Sequence, residues 1–293
     1  MLFRSVDPDF LGLSVGRFAV SDLSGMVVST PVDGASLRFR YPGIQLGFDL
    51  GYTGLLWQSQ NSITMSNTDV AAGEDDDELF GSPRLIGVVA ATLPPIYRQG
   101  ISLNVIFQED LWSSRAVNFA EAGELAQPGL GGPLDTQYIG VGVNGPLYQE
   151  YELYQSFFFF YNTGRMLSLL PNEDPNLDSQ YDYRPVRGFL VGTSVRHYMP
   201  LFYQSNVAVR LLFSSGDSDF SSYYEGNTSE NAQQFIPVTA SGFGAVFSPK
   251  LGNVGVTEVQ YSMKPLIGSG SWALSSLQTV VKGMLFFRPT TGP

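Results

Sequence analysis

The stretch Ala35–Leu56 constrains this chain most, because it alternates so regularly that it reads as one β-hairpin with two unlike faces. Ile44, Leu46, Phe48, Leu50 and Tyr52 alternate with Gln45, Gly47, Asp49, Gly51 and Thr53. Successive strand side chains point to opposite faces, so one face is apolar and the other small and polar. Leu37, Phe39 and Tyr41 alternate in the same way with Ser36, Arg38 and Arg40, and only Pro42-Gly43 lies between, a tight turn.

The pattern repeats along the chain. Leu11–Val20 reads as strand one, the hairpin as strands two and three, Arg84–Leu93 as four, and the run from Ile101 to Gln108 as five. Thr136–Val143 reads as six, the aromatic run through Tyr161 as seven, Arg187–Tyr198 as eight, and the segment around Asn206–Ser214 as nine. Gly242–Phe247 reads as ten, the run from Glu258 to Lys264 as eleven, and Leu277–Arg288 as twelve. Strand four is apolar on both parities and has no readable orientation. Asn144-Gly145-Pro146 is a strong hairpin signal between six and seven. Long connections, Trp57–Pro83, Trp112–Leu134, Asn162–Pro185 and Ser215–Pro237, alternate with short ones, and no helix of useful length is predicted.

Composition removes several function classes. The chain of 293 residues has 16 Lys+Arg against 27 Asp+Glu and a net charge of −11, with no basic cluster, which argues against nucleic acid. It has no cysteine and one histidine, which excludes thiol catalysis, zinc–thiolate sites and histidine-based metal sites. Ser194 and His197 lie three apart on one strand and so face opposite ways, which speaks against a hydrolase pair. Only 15% of residues are charged, against roughly 25% in soluble domains, whereas Tyr (15), Phe (21) and Gly (32) are abundant.

Period-two alternation does not say which face is the inside. In a soluble barrel or sandwich the apolar face is the core and the polar face meets water. In a membrane barrel the apolar face meets lipid and the polar face lines a lumen. Three features favour the membrane barrel: polar faces of Gly, Ser, Asn and Gln with sparse charges, long loops at one end only, and aromatic residues near strand ends. Tyr41, Trp57, Tyr97, Trp112 and Tyr198 are among the last, in positions suited to an interfacial belt.

Leu13-Ser-Val-Gly-Arg17, Val32-Asp33-Gly34 with its hairpin, and Leu211-Leu-Phe-Ser-Ser-Gly-Asp217 resemble strand and loop starts of porin-type outer-membrane β-barrels and alginate-export-like channels. The chain departs from that pattern at its last strand, where Phe287 is followed by Arg-Pro-Thr-Thr-Gly-Pro. The resemblance implies an all-β, antiparallel, up-and-down transmembrane barrel forming a single domain over 1–293, of which the alternation makes about twelve strands visible, the whole or an N-terminally shortened part of a larger barrel. Residues 1–9 then read as the remnant of a preceding strand and turn. It also implies the outer membrane of a double-membrane bacterium with the long loops extracellular. The expected partners are membrane lipid, small solutes, the barrel-assembly machinery and, for some such barrels, further copies; no cofactor is implied.

Strands of that number, spaced ~4.8 Å and tilted about 40°, close on a backbone radius of roughly 12 Å. The residues expected to line the pore are Arg38, Arg40, Asp49, Asn104, Gln108, Glu150, Glu152, Arg196, Arg210, Glu258, Lys264 and Lys282. Charges facing a pore select permeants, and the same charges paired between strands merely stiffen the wall. The sequence leaves both readings open. The acidic run Glu74-Asp75-Asp76-Asp77-Glu78 has hard oxygen ligands but not the spacing of a calcium loop. The expected function is a porin-like passive channel and not an enzyme, with a surface-exposed structural or adhesive barrel as the alternative.

Overall fold

A computed structural model describes residues 10–60, 79–111, 134–170, 180–218, 232–239 and 251–291, together with 62, 63, 66, 69, 243 and 249. Its described strands form one antiparallel sheet in strict sequence order: β1 (Leu11–Ser21), β2 (Ser29–Tyr41), β3 (Ile44–Tyr52), β4 (Arg84–Ile96), β5 (Gln99–Asp110) and β6 (Leu134–Tyr148). It continues through β7 (Leu153–Leu170), β8 (Gln180–Met199), β9 (Ser205–Ser214), β10 (Gly255–Met263) and β11 (Thr279–Phe287). The architecture is all-β and up-and-down, and among the described residues the ladder is open between β1 and β11. The predicted strand ten lies almost entirely outside the described residues, and β9 pairs directly with β10 from Gly255↔Phe213 to Ser262↔Asn206. The final connection, 264–278, therefore sits at the short-turn end.

The hairpin that the alternation predicts is present, with Tyr41 opposite Ile44 and Arg38 opposite Gly47. Pro42 fixes its own φ, and Gly43 supplies the φ of 83° that closes the turn. The next hairpin turns instead on Tyr97 and Arg98, both left-handed at φ 49° and 66°. Pro94-Pro95 cannot donate to a ladder, and the β4–β5 register shifts there between Leu93 and Ile96.

Several strand limits differ from expectation; β2, for one, begins at Ser29 and not at the start of the Ala35 hairpin. Asn144-Gly145-Pro146 is not the β6–β7 turn; it stays in β6, opposite Ser156, Gln155 and Tyr154. The β5–β6 ladder stops at Gly100↔Asn144, so Pro146 is paired on one side only and its missing N–H is tolerated. The turn falls on Gln149–Tyr151, closed by Glu152 in the left-handed region at φ 49°. β7 and β8 also run further than expected, pairing as far as Leu170↔Gln180. The outward residues there include Thr163, Arg165 and Arg187, so the apolar alternation stops although the ladder continues.

The faces divide as expected over the outer wall. Leu13, Val15, Phe48, Leu50, Leu103, Val105, Ile139, Val209, Leu211, Val259 and Leu285 share one face and are exposed. β4 gains an orientation from its neighbours: Val88 lies opposite Asp49 and Ile106, which puts Arg84, Ile86 and Val88 on the inner face. The inner face is not polar throughout. Toward the long-loop end it holds a buried apolar cluster that includes Val20, Val32, Ile86, Val88, Ile106, Tyr138, Phe160, Leu190 and Leu212. That cluster is covered by the chain's own connections, and this is where the core sits.

Candidate functional site

The inner wall has two halves of different chemistry. In the short-turn half, Arg38 lies across Gly47 to grip Asp49 through two bonds, Nη1 to Oδ1 at 2.7 Å and Nη2 to Oδ2 at 2.8 Å. A Cβ on Gly47 would stand 3.1 Å from that guanidinium, so the glycine makes the crossing possible. Asp49 is buried while Arg38 keeps 44% of its side chain exposed, leaving a cationic surface to the interior. Lys282 reaches Glu258 at 2.9 Å. Arg210, opposite Glu258 in register, places Nη2 3.1 Å from the Met26 sulfur. Arg196 donates to the Tyr198 hydroxyl at 3.2 Å and lies over its ring. A cavity of about 620 Å³ opens beside it, lined by Asn144, Glu152, Tyr154, Ser156, Ser194 and Arg196.

The long-loop half is filled. The β1–β2 connection is shaped by Asp22, whose carboxylate accepts from the backbone N–H of Ser24 (2.6 Å), Gly25 (3.1 Å), Val27 (2.8 Å) and Val28 (2.8 Å). Folded this way, the connection reaches well beyond its own strands: Leu23 N–H donates to Asn104 Oδ1 on β5 at 2.6 Å, and Met26 meets Arg210 on β9. The segment 232–239 lies against the same interior. Tyr138 of β6 donates its hydroxyl to the Ile236 carbonyl at 2.7 Å, and Ala232 forms a parallel bridge with Val186 of β8. Phe235, Ile236 and Val238 complete the apolar cluster.

A third connection is held by a buried charge cluster. Arg84 is fully buried, with Asp69 of the β3–β4 connection and Asp110 of β5 each at 2.6 Å. Gln108 belongs to this cluster: its Oε1 accepts from Arg84, and its Nε2 donates to the Leu134 carbonyl at 2.5 Å and to Thr136. Charges this deep hold only in pairs, and removing one partner leaves the others uncompensated. Sequence reasoning missed Arg84 because strand four has no readable face.

Of the residues expected to line a pore, Arg38, Arg40, Asp49, Asn104, Gln108, Arg196, Arg210, Glu258 and Lys282 lie on the inner face of strands. Asn104 and Gln108 are buried under connections and bonded to them. Glu150 and Lys264 are corrected: the first is in the Gln149–Tyr151 turn, and the second follows β10. Glu152 caps that turn and borders the cavity. Arg17, unassigned from parity, faces outward with Asp33 (Nη2 to Oδ2 2.8 Å). Ser194 points inward to Ser156 at 2.8 Å, and His197, of opposite parity, points outward. The acidic run 74–78 lies outside the described residues. Among the described residues, no group of three or more His, Cys, Asp or Glu is placed to hold a metal. No described helix is long and apolar enough to cross a membrane, which does not bear on crossing by strands.

No family model and no curated protein matches the chain. Among solved structures it is similar to a porin, at 8% identity and a TM-score of 0.42, over 97% of this chain and 74% of that one. A likeness of that size carries no argument about function, and the fold assignment stands on the strand ladder itself.

Proposed function

We propose that this protein is a porin-like channel of a bacterial outer membrane, passing small polar solutes, and anions by preference, through a path narrowed by its own inward connections. The observation that carries the reading is the inversion of faces. Apolar side chains from Leu13 to Leu285 stand exposed on the outer wall, while the strand charges Arg38, Arg40, Asp49, Arg196, Arg210, Glu258 and Lys282 stand inside. A soluble sheet of this kind would bury that outer wall; a bilayer does it instead. Cations outnumber anions among those inner residues although the whole chain is acidic, which favours anion entry. The long loops then face the exterior.

A surface-exposed structural or adhesive barrel is the second reading, favoured by the buried apolar cluster on the inner face. Planar-bilayer recording of the refolded protein separates the two. Discrete, stable conductance steps support the channel, and silence from protein shown to be folded would favour the closed barrel.

A further inference from the structure

We infer that the outer wall at the long-loop end of β8 and β9 carries a binding site for a membrane lipid with an anionic headgroup; this rests on the membrane reading above. Three rings form its apolar floor. Phe159 stacks on Phe189 at 6.4 Å and Phe189 on Phe213 at 5.7 Å, with interplanar angles of 24° and 22°. They sit on neighbouring strands β7, β8 and β9, facing outward, so together they form a flat strip against which acyl chains can lie.

The strip has a polar head. Arg187 is two residues before Phe189 on the same outward face, next to Thr163 of β7. A niche of about 360 Å³ opens there between Arg187, Phe189, Phe213, Ser215, Gln233 and Thr290. Its far side is held in place by Asn253, which donates to the Thr290 carbonyl at 2.8 Å and accepts from the Thr290 N–H at 3.0 Å. Ser215 is already committed, accepting from Phe189 N–H and donating to the Gln233 carbonyl. The exposed donors that remain are the Gln233 side chain and the Arg187 guanidinium.

Arg187 differs from the other outward arginines at this end. Arg17 is paired with Asp33, and Arg165 with Asp135 at 2.8 Å while lying over Tyr183. Among the described residues Arg187 has neither an ion pair nor a side-chain hydrogen bond. A planar guanidinium left open above an aromatic floor suits a phosphate ester whose tail runs down the wall. A free phosphate would use the arginine but not the rings, and a neutral lipid would use the rings but not the arginine.

The test uses the full chain refolded into phosphatidylcholine vesicles and into vesicles containing phosphatidic acid, with bound lipid counted by native mass spectrometry after gentle extraction. The expected result is retention of phosphatidic acid over phosphatidylcholine, lowered about tenfold by Arg187→Gln, a loss of the size expected for one charge-assisted contact. Arg40→Gln, on the inner face, leaves the preference unchanged. Phe189→Ala together with Phe213→Ala lowers retention of both lipids. The site is refuted if R187Q retains phosphatidic acid as the parent does, or if millimolar inorganic phosphate abolishes the preference. Flotation with pure phosphatidylcholine vesicles is scored separately. A protein that fails to float refutes the membrane reading, whereas one that floats without headgroup preference refutes only the site.

Discussion

Val238 donates its backbone N–H to the Val27 carbonyl at 2.8 Å, joining the connection after β9 to the connection after β1. Thr239 N–H approaches the same carbonyl at 3.2 Å, and Ser29 N–H donates to the Thr239 hydroxyl at 2.9 Å. Strands far apart in the ladder are thus tied through the interior. The path proposed for solutes passes wherever this tie leaves room.

Asp22 holds the β1–β2 half of that tie in shape, so Asp22→Ala is expected to cost about 3 kcal/mol, since bonds to a charged acceptor are worth ~1.5–3 kcal/mol each and do not add fully. The midpoint of thermal unfolding in detergent measures the loss. Conductance in planar bilayers should rise in the same variant; an unchanged conductance would mean that this connection does not narrow the path.

Removing Arg84 takes from Asp69 and Asp110 the buried cation that each meets at 2.6 Å. Arg84→Ala should destabilise by about 3–5 kcal/mol, read by denaturant unfolding. Arg84→Met combined with Asp69→Asn and Asp110→Asn should recover most of it, because the buried charges are then gone. Failure of the triple variant to recover would assign the loss to packing rather than charge.

The outer wall predicts a strong dependence on depth. Val105, exposed in the middle of β5, should cost about 2–4 kcal/mol when changed to arginine in a bilayer, and little in a detergent that tolerates a charge. Equal effects in the two media would argue that this face does not meet lipid.

Selectivity tests the inner charges. Asp49→Asn frees Arg38 from its partner and should raise the anion-to-cation permeability ratio by on the order of twofold to tenfold. Arg40→Glu should lower it. Reversal potentials in a salt gradient give both values, and a ratio unmoved by either change would take this hairpin out of the permeation path.

Much of the fold was legible because a strand's partners repeat its period. Phe48 and Leu50 alternate with Gly47 and Asp49, and the structure puts the first pair outside and the second inside. The alternation failed where both faces carry the same chemistry. β4 reads as apolar throughout because Ile86 and Val88 meet folded connections while Val89 meets the outside. It failed again in β7 and β8 beyond Tyr161 and before Phe189, where the outward face turns polar while Met166 and Val186 still pack into the core. Asn144-Gly145-Pro146 misled for a different reason: Gly145 and Pro146 lie past the end of the β5 ladder, where a strand paired on one edge tolerates turn-forming residues. Least legible was the filling of the interior, since Met26, Val27, Phe235 and Ile236 belong to no periodic segment, and only their burial shows what they do.

Antiparallel pairing in unbroken order from β1 to β11 leaves the first and last strands pointing the same way. Brought together directly, they could meet only as a parallel seam, with slanted and evenly spaced hydrogen bonds. An antiparallel seam needs one strand between them, or any odd number. The two outer edges, Leu11–Ser21 and Thr279–Phe287, which no other described strand pairs, therefore share a polarity: one strand running opposite to both would satisfy the pair of them at once.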